Sequence, residues 1–244
     1  FMPRSAVYLA AKQKPAAQIR RLLLRINPNA DLDNARFSAE VPQPSAAGQG
    51  SPIGMVLGAY FRAGSVLLWL AYFFGLIIFY ALINWLPILF KEANMSAELG
   101  ARVSGLFALG GLGAVASGYL MDKFNGNKLV ALLALLSAAS VALIGWAMAH
   151  GVAALAGVIL FAGVVYNTMQ ASLPALSAQF YPVECRSTGV SWMLGIGRFG
   201  AIAGTFLTGQ LLAWKLDYTA IFMILALPAL VVAACLLIKQ KRYG

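Results

Sequence analysis

Six long runs without a single charged residue dominate this chain, and they restrict it to one kind of environment. They cover residues 63–90, 103–121, 129–149, 151–183, 187–214 (broken only by Arg198) and 218–238. A membrane helix needs about 20 consecutive apolar residues, and each run meets that length. The hydrophobic share of 61% and charged share of 11% lie far from a soluble domain, whose apolar share is about 45–50%. A soluble globular protein is therefore excluded. Lipid offers no hydrogen bonds to a bare backbone, so a span must be helical or part of a closed barrel. The runs lack the in–out alternation of barrel strands, and the expected fold class is all-α: an integral membrane six-helix bundle.

The formal charge of +10 does not mark a nucleic-acid binder, because of where the charges fall. Basic residues crowd before the first run (Arg4 to Arg62), after the last (Lys239, Lys241, Arg242), and in the second and fourth connections (Lys123, Lys128, Arg186). By the positive-inside rule these segments are cytoplasmic, which predicts a multi-pass inner or plasma membrane protein with both termini inside. Cys185 and Cys235 have neither metal-ligand spacing nor an oxidising compartment to pair in. Both read as free thiols, and no cofactor or metal is expected.

Residues 1–60 are expected to form a cytoplasmic loop ahead of a six-helix domain at 61–244, which ends in a short cytoplasmic tail. Within the loop, Ile19, Leu22, Leu23 and Ile26 recur at helical spacing opposite Arg20, Arg21 and Arg25, with Pro28 as a stop. This predicts a short amphipathic helix, either on the membrane surface or packed on its own domain. Residues 27–52, rich in Pro, Ser and Gly, read as a linker. The chain opens on Phe1 rather than methionine, as expected of a piece cut from something longer.

Arg198 lies roughly 15 Å inside its apolar run, at about 1.5 Å of rise per residue. An arginine at a helix centre costs on the order of 2.5–3.5 kcal/mol even on the lenient insertion scale, so something must offset it. The options are snorkelling towards the cytoplasm, a carboxylate on a partner domain, or an anionic substrate gripped by the guanidinium fork. Polar side chains recur at the helical period elsewhere: Phe73, Tyr80 and Asn84 in the first run, and Gly163, Tyr166, Asn167, Gln170 and Pro174 in the fourth. Such stripes line a wet or substrate-lined face, or else hydrogen-bond between helices. Asp122 and Arg186 sit in two connections placed on the same side. Gly195, Gly197 and Gly200 match G-x-G-x-x-G, but inside a membrane span this spacing reads as close helix packing, not a dinucleotide site.

"GYLMDKFNGNK" (118–128) resembles the repeated loop motif of the major facilitator superfamily. "NWLPILF" (84–90), "GLFALGGLGAVASGYLMDKF" (105–124) and "YPVECRSTGVSWMLGIGRFGAIAG" (181–204) look more narrowly like the aromatic acid:proton symporter family. "FMPRSAVYLAAKQKPAAQIRRLLLRI" (1–26) is similar to the segment that follows the sixth helix there. The resemblance covers nearly the whole chain and implies the C-terminal half, helices seven to twelve, of a twelve-helix transporter rather than an enzyme.

What the resemblance implies is proton-coupled symport of small aromatic carboxylates by alternating access. Arg198, Tyr80, Asn84, Tyr166, Asn167 and Gln170 would then bind substrate, and Asp122 with Arg186 would latch the cytoplasmic gate. The expected partners are the aromatic acid, protons, the lipid bilayer and an N-terminal six-helix half, with no nucleic acid. Two alternatives stay open: a superfamily transporter of another solute such as a sugar or other organic acid, and a non-transporting six-helix protein or inactive fragment.

Overall fold

The computed structural model describes residue 9 and residues 15–26, 51–92 and 95–244. The chain divides into two compact units, residues 1–50 and 51–244. In the first, α1 (Ala16–Ile26) is the amphipathic helix read from the apolar spacing. Ile19 is buried, while Arg21 and Arg25 are exposed. Most of the expected linker, residues 27–50, lies outside the described residues.

Among the described residues, the regular structure of the second unit is entirely helical. After a short α2 (Pro52–Val56) come α3 (Arg62–Glu92), α4 (Ala97–Leu109), a 3-10 segment (Gly110–Ala116), α5 (Ser117–Lys123), α6 (Gly126–Ala149), α7 (Val152–Phe180), α8 (Arg186–Ala213) and α9 (Tyr218–Tyr243). Among the described residues, six stretches are long and apolar enough to cross a membrane, the second formed by α4, the 3-10 segment and α5 together. Short polar connections start the helices with side-chain caps. Ser96 accepts from Leu99 N, Asn125 from Lys128 N and Asp217 from Ala220 N, each satisfying a first-turn donor that the helix cannot bond itself. Asn125, not Asp122, thus caps α6. Asp122 stays exposed in the last turn of α5.

Alternating direction places Lys123, Lys128, Arg186, Lys241 and Arg242 at one end of the bundle, and Lys91, Arg102 and Lys215 at the other. The last helix runs on to Tyr243, beyond the expected end of the span, so the closing basic residues are helical rather than a loose tail. Pro87, Pro174 and Pro228 all lie inside continuous helices, as membrane helices tolerate where neighbours re-satisfy the freed carbonyls.

Helix α3 is the hub. It packs on α8 and α9, and also touches α4 and α7, while α6 closes against α7 and α9. Leu68, Ile78, Leu82, Leu86, Leu89 and Phe90 of α3 are all at most 1% exposed. The outward residues are as apolar as the core, among them Leu132, Leu143, Leu160, Phe161, Leu227 and Leu237. In water such a belt would be an anomaly; against lipid tails it is the expected surface. The second and fifth spans stand apart, with 17% and 22% of their apolar windows buried against 44–56% in the other four. Each therefore presents a broad free face.

Candidate functional site

The seam between α3 and α8 positions Arg198, the arginine far along the fifth span. Gly197, Gly200 and Gly204 form one face of α8 at helical spacing. A Cβ at these positions would come within 2.2 Å of the Tyr72 ring, Phe73 O and Ile77 O respectively. Only glycine allows so close an approach; of the G-x-G-x-x-G triplet, Gly197 and Gly200 belong to this packing seam, whereas Gly195 has nothing within 4 Å of an added Cβ. Arg198 follows Gly197 directly and so points away from the seam. It is the thirteenth residue of α8, about 18 Å along the helix at 1.5 Å per residue, and it is exposed on the bundle's free face. Its Nη1 lies 3.5 Å from the Tyr80 hydroxyl, a contact too long to offset a full charge.

Tyr72 completes this corner, and the sequence reading passed over it. Its ring fills the notch at Gly197, and its hydroxyl is within electrostatic reach of Arg198, Gln170 and Tyr80. The helical stripe drawn from Tyr80 back seven residues selects Phe73, whose carbonyl lies under Gly200 instead. A tyrosine in an otherwise apolar stretch was the available signal.

Across the bundle, Tyr166 is fully buried and donates to Gly75 O. Its ring stacks on Phe79 at 6.2 Å and lies 5.7 Å from Phe107. One turn further along α7, Gln170 Oε1 rests against the Cα of Gly75, 3.5 Å from the Tyr166 hydroxyl. Gln170 Nε2 is buried with no hydrogen-bond partner. Tyr166 therefore supports Gln170 and α3 rather than facing outward.

Two of the other polar residues tie helices together. Asn167 Nδ2 donates to Phe107 O at 2.9 Å and Gly163 O at 2.8 Å. This bonds α7 to α4 at the point where Gly110 backs onto Gly163, a Cβ on either meeting backbone within 2.4 Å. Asn84 Nδ2 donates to Thr205 Oγ1 at 3.2 Å, and Trp85 Nε1 to Thr205 O at 3.1 Å, fastening α3 to α8 at the residue that follows Gly204. Asn84 remains exposed; Asn167 is half-buried. The structure thus brings Arg198, Tyr80, Tyr72 and Gln170 into one neighbourhood and holds Asn84 and Asn167 at flanking helix contacts.

At the basic end, Arg186 Nε donates to Tyr181 O at 3.3 Å, and Tyr181 in turn donates from its hydroxyl to Ser65 Oγ at 2.8 Å. Asp122 and Arg186 are both exposed. Among the described residues no ion pair joins them, the one present being Arg102 with Glu98. Nor does any group of three or more His, Cys, Asp or Glu among those residues offer a metal site.

The family model for the Major Facilitator Superfamily matches residues 19–205 and 68–243. The chain belongs to that superfamily, which is one of membrane transporters and not of enzymes. It is 38% identical over 241 residues to the 4-hydroxybenzoate transporter PcaK of Acinetobacter baylyi, covering 98% of this chain and 52% of the relative. It is 39% identical over 239 residues to the protein of that name in Pseudomonas aeruginosa, covering 98% and 53%. To the gallate transporter of Pseudomonas putida it is 36% identical over 248 residues, covering 97% and 52%. The chain therefore spans about half the length of the curated relatives it matches. Six spans and half-length coverage agree with the expectation of one half of a superfamily fold.

Proposed function

We propose that this chain is the C-terminal half of a proton-coupled symporter that carries small aromatic carboxylates across the cytoplasmic membrane by alternating access. The observation that carries the reading is Arg198: a guanidinium at mid-membrane, on a free face, beside two tyrosines and with no carboxylate bonded to it among the described residues. A planar fork of N–H donors in a low-dielectric setting suits a carboxylate better than any neutral ligand. Tyr72 and Tyr80 next to it supply aromatic faces for a ring. The names of the relatives, 4-hydroxybenzoate and gallate transporters, describe substrates with that chemistry.

The broad free faces of the second and fifth spans are where an N-terminal six-helix half packs, with the substrate between the halves. The described spans carry acids only near their ends, so proton coupling falls to that other half. The basic end of the bundle faces the cytoplasm, and Asp122 and Arg186 there form a latch made in only one of the two access states.

The test is uptake by the natural full-length polypeptide carrying Arg198→Lys or Arg198→Ala, at matched membrane levels. Lysine keeps the charge and loses the fork. Breaking a buried charged pair costs about 2–5 kcal/mol, so Arg198→Ala should weaken binding of the acid by at least about thirtyfold, with Arg198→Lys in between. A substrate amide, which has no charge to pair, should be indifferent to both. Undiminished transport by Arg198→Ala would remove the anchor role and leave snorkelling as the account of this residue.

A further inference from the structure

Gln170 holds the polar atom that nothing so far accounts for. Its Oε1 has the Tyr166 hydroxyl beside it, whereas Nε2 is buried without any partner. A buried donor left unsatisfied is costly, and an unmatched group in a native structure needs a reason. The Tyr72 hydroxyl stands close enough to interact with this amide, though beyond full hydrogen-bond range of Nε2, and the other helix neighbours do not relieve it either. Tyr166 already gives its proton to Gly75 O, and the nearest backbone, at Gly75, lies against Oε1 rather than Nε2.

The position of this donor is specific. Gln170 rests on Gly75, and Arg198 stands beside Gly197, whose notch holds Tyr72. Tyr72 and Gly75 are three residues apart on α3, about 4.5 Å of rise. The guanidinium, whose Nη1 is 3.5 Å from the Tyr80 hydroxyl, and the amide resting on Gly75 sit five residues apart along α3, about 7.5 Å of rise, with the Tyr72 hydroxyl close enough to interact with both. Gln170 as a whole is only partly buried, so a rotation of its flexible side chain turns the amide towards the free face.

Resting on the reading that Arg198 takes a substrate carboxylate, we propose that Gln170 Nε2, with the Tyr72 hydroxyl, binds a ring hydroxyl of the same substrate and makes the site selective for hydroxylated over unsubstituted aromatic acids. A phenolic oxygen accepts from Nε2, and its O–H donates to the Tyr72 oxygen. Carboxylate and hydroxyl are then read at opposite edges of one ring. An acid without the hydroxyl leaves Nε2 unpaired, which is how polar sites reject analogues that lack their group.

The experiment is uptake by the natural full-length polypeptide with 4-hydroxybenzoate and benzoate as paired probes. In the native protein, benzoate should compete at least about tenfold less well than the hydroxy acid, the scale of one unmet hydrogen bond. Gln170→Met, close in shape, should weaken 4-hydroxybenzoate about tenfold and leave benzoate within about twofold, closing the gap. Tyr72→Phe should narrow it in the same direction. Equal loss of both acids in Gln170→Met, with native selectivity intact in Tyr72→Phe, would make Gln170 a packing residue and overturn the inference. Should Gln170→Met take up neither acid, the native competition decides, and equal competition by the two acids overturns it. If no aromatic acid competes in the native protein, the proposed function itself fails and this inference with it; selectivity lost while Arg198 still matters would strike only the Gln170 assignment.

Discussion

Lys239 Nζ donates to Asn127 Oδ1 over 2.9 Å, joining the last helix to the start of α6 at the basic end of the bundle. The ammonium is otherwise enclosed: Lys239 is 4% exposed, and Nζ stands 4.7 Å above the Phe180 ring. Asn127 is held in turn, its Nδ2 donating to Gln240 Oε1 at 3.0 Å. A buried cation with an amide and an aromatic face for company depends heavily on the amide. Asn127→Ala should destabilise the protein by about 1–3 kcal/mol, because it strands the charge. Lys239→Met removes charge and requirement together and should cost less. Thermal unfolding of the purified protein in detergent orders the two, and a larger loss for Lys239→Met would mean that its contacts outweigh the burden of burying it.

The glycine seam gives a sharper test. Gly200→Ala places a methyl within 2.2 Å of Phe73 O, whereas nothing lies within 4 Å of a methyl at Gly157. Backbone cannot yield as a flexible side chain does, so Gly200→Ala should push α8 off α3 and lower membrane accumulation or detergent stability. Overpacking of this kind typically costs about 1–3 kcal/mol. Gly157→Ala should be silent. Equal behaviour of the two would show that the helices separate without penalty.

Asp122 is exposed and free of any ion pair with Arg186 in this conformation. If the two meet in the opposite access state, Asp122→Asn biases the equilibrium between states. Uptake should drop while the amount of protein in the membrane stays the same. Normal uptake would reduce Asp122 to a solvated charge at a helix end.

Orientation can be read by thiol labelling. Phe124 is exposed in the connection between α5 and α6, so Phe124→Cys should be reached by a membrane-impermeant maleimide only from the cytoplasmic side. The native Cys185 does not confuse the assay. Burial pushes its thiol up, with the neighbouring Glu184 carboxylate adding to the effect. The reactive thiolate is therefore scarce at neutral pH and forms only above the ordinary thiol range. Labelling of residue 124 from outside intact cells would invert the topology, and rapid alkylation of Cys185 at pH 7 would contradict its enclosure.

The six spans and their order were legible because lipid imposes one demand, unbroken apolar length, that a sequence displays directly. Arg198 was legible for the same reason, as a charge where none is tolerated without cause. Tyr166 and Asn167 were not, since a polar residue at helical spacing looks alike whether it faces a ligand or a neighbouring backbone. Asn167 bonds Phe107 O because Gly110 and Gly163 let α4 and α7 touch, a tertiary fact absent from local pattern. Tyr72 escaped because its role is set by the notch at Gly197, on a different helix. The capping of α6 by Asn125 could have been anticipated from residue type, since asparagine is among the strongest N-cap residues.

The 3-10 segment at Gly110–Ala116 resets the phase of the second span. Each of its seven residues turns about 120° rather than 100°, so Ser117 to Lys123 are rotated by about 140° from where an unbroken α-helix would point them. A periodicity drawn through both halves of this span assigns the wrong side to one of them. Substitution scanning along it should show two sensitivity patterns of ordinary helical period that fall out of step across Gly110. The same winding lengthens the span by about 3.5 Å, at an extra 0.5 Å of rise per residue. The Asp122 end thus stands further out, and turned to a different azimuth, than its distance in sequence from Ala97 implies.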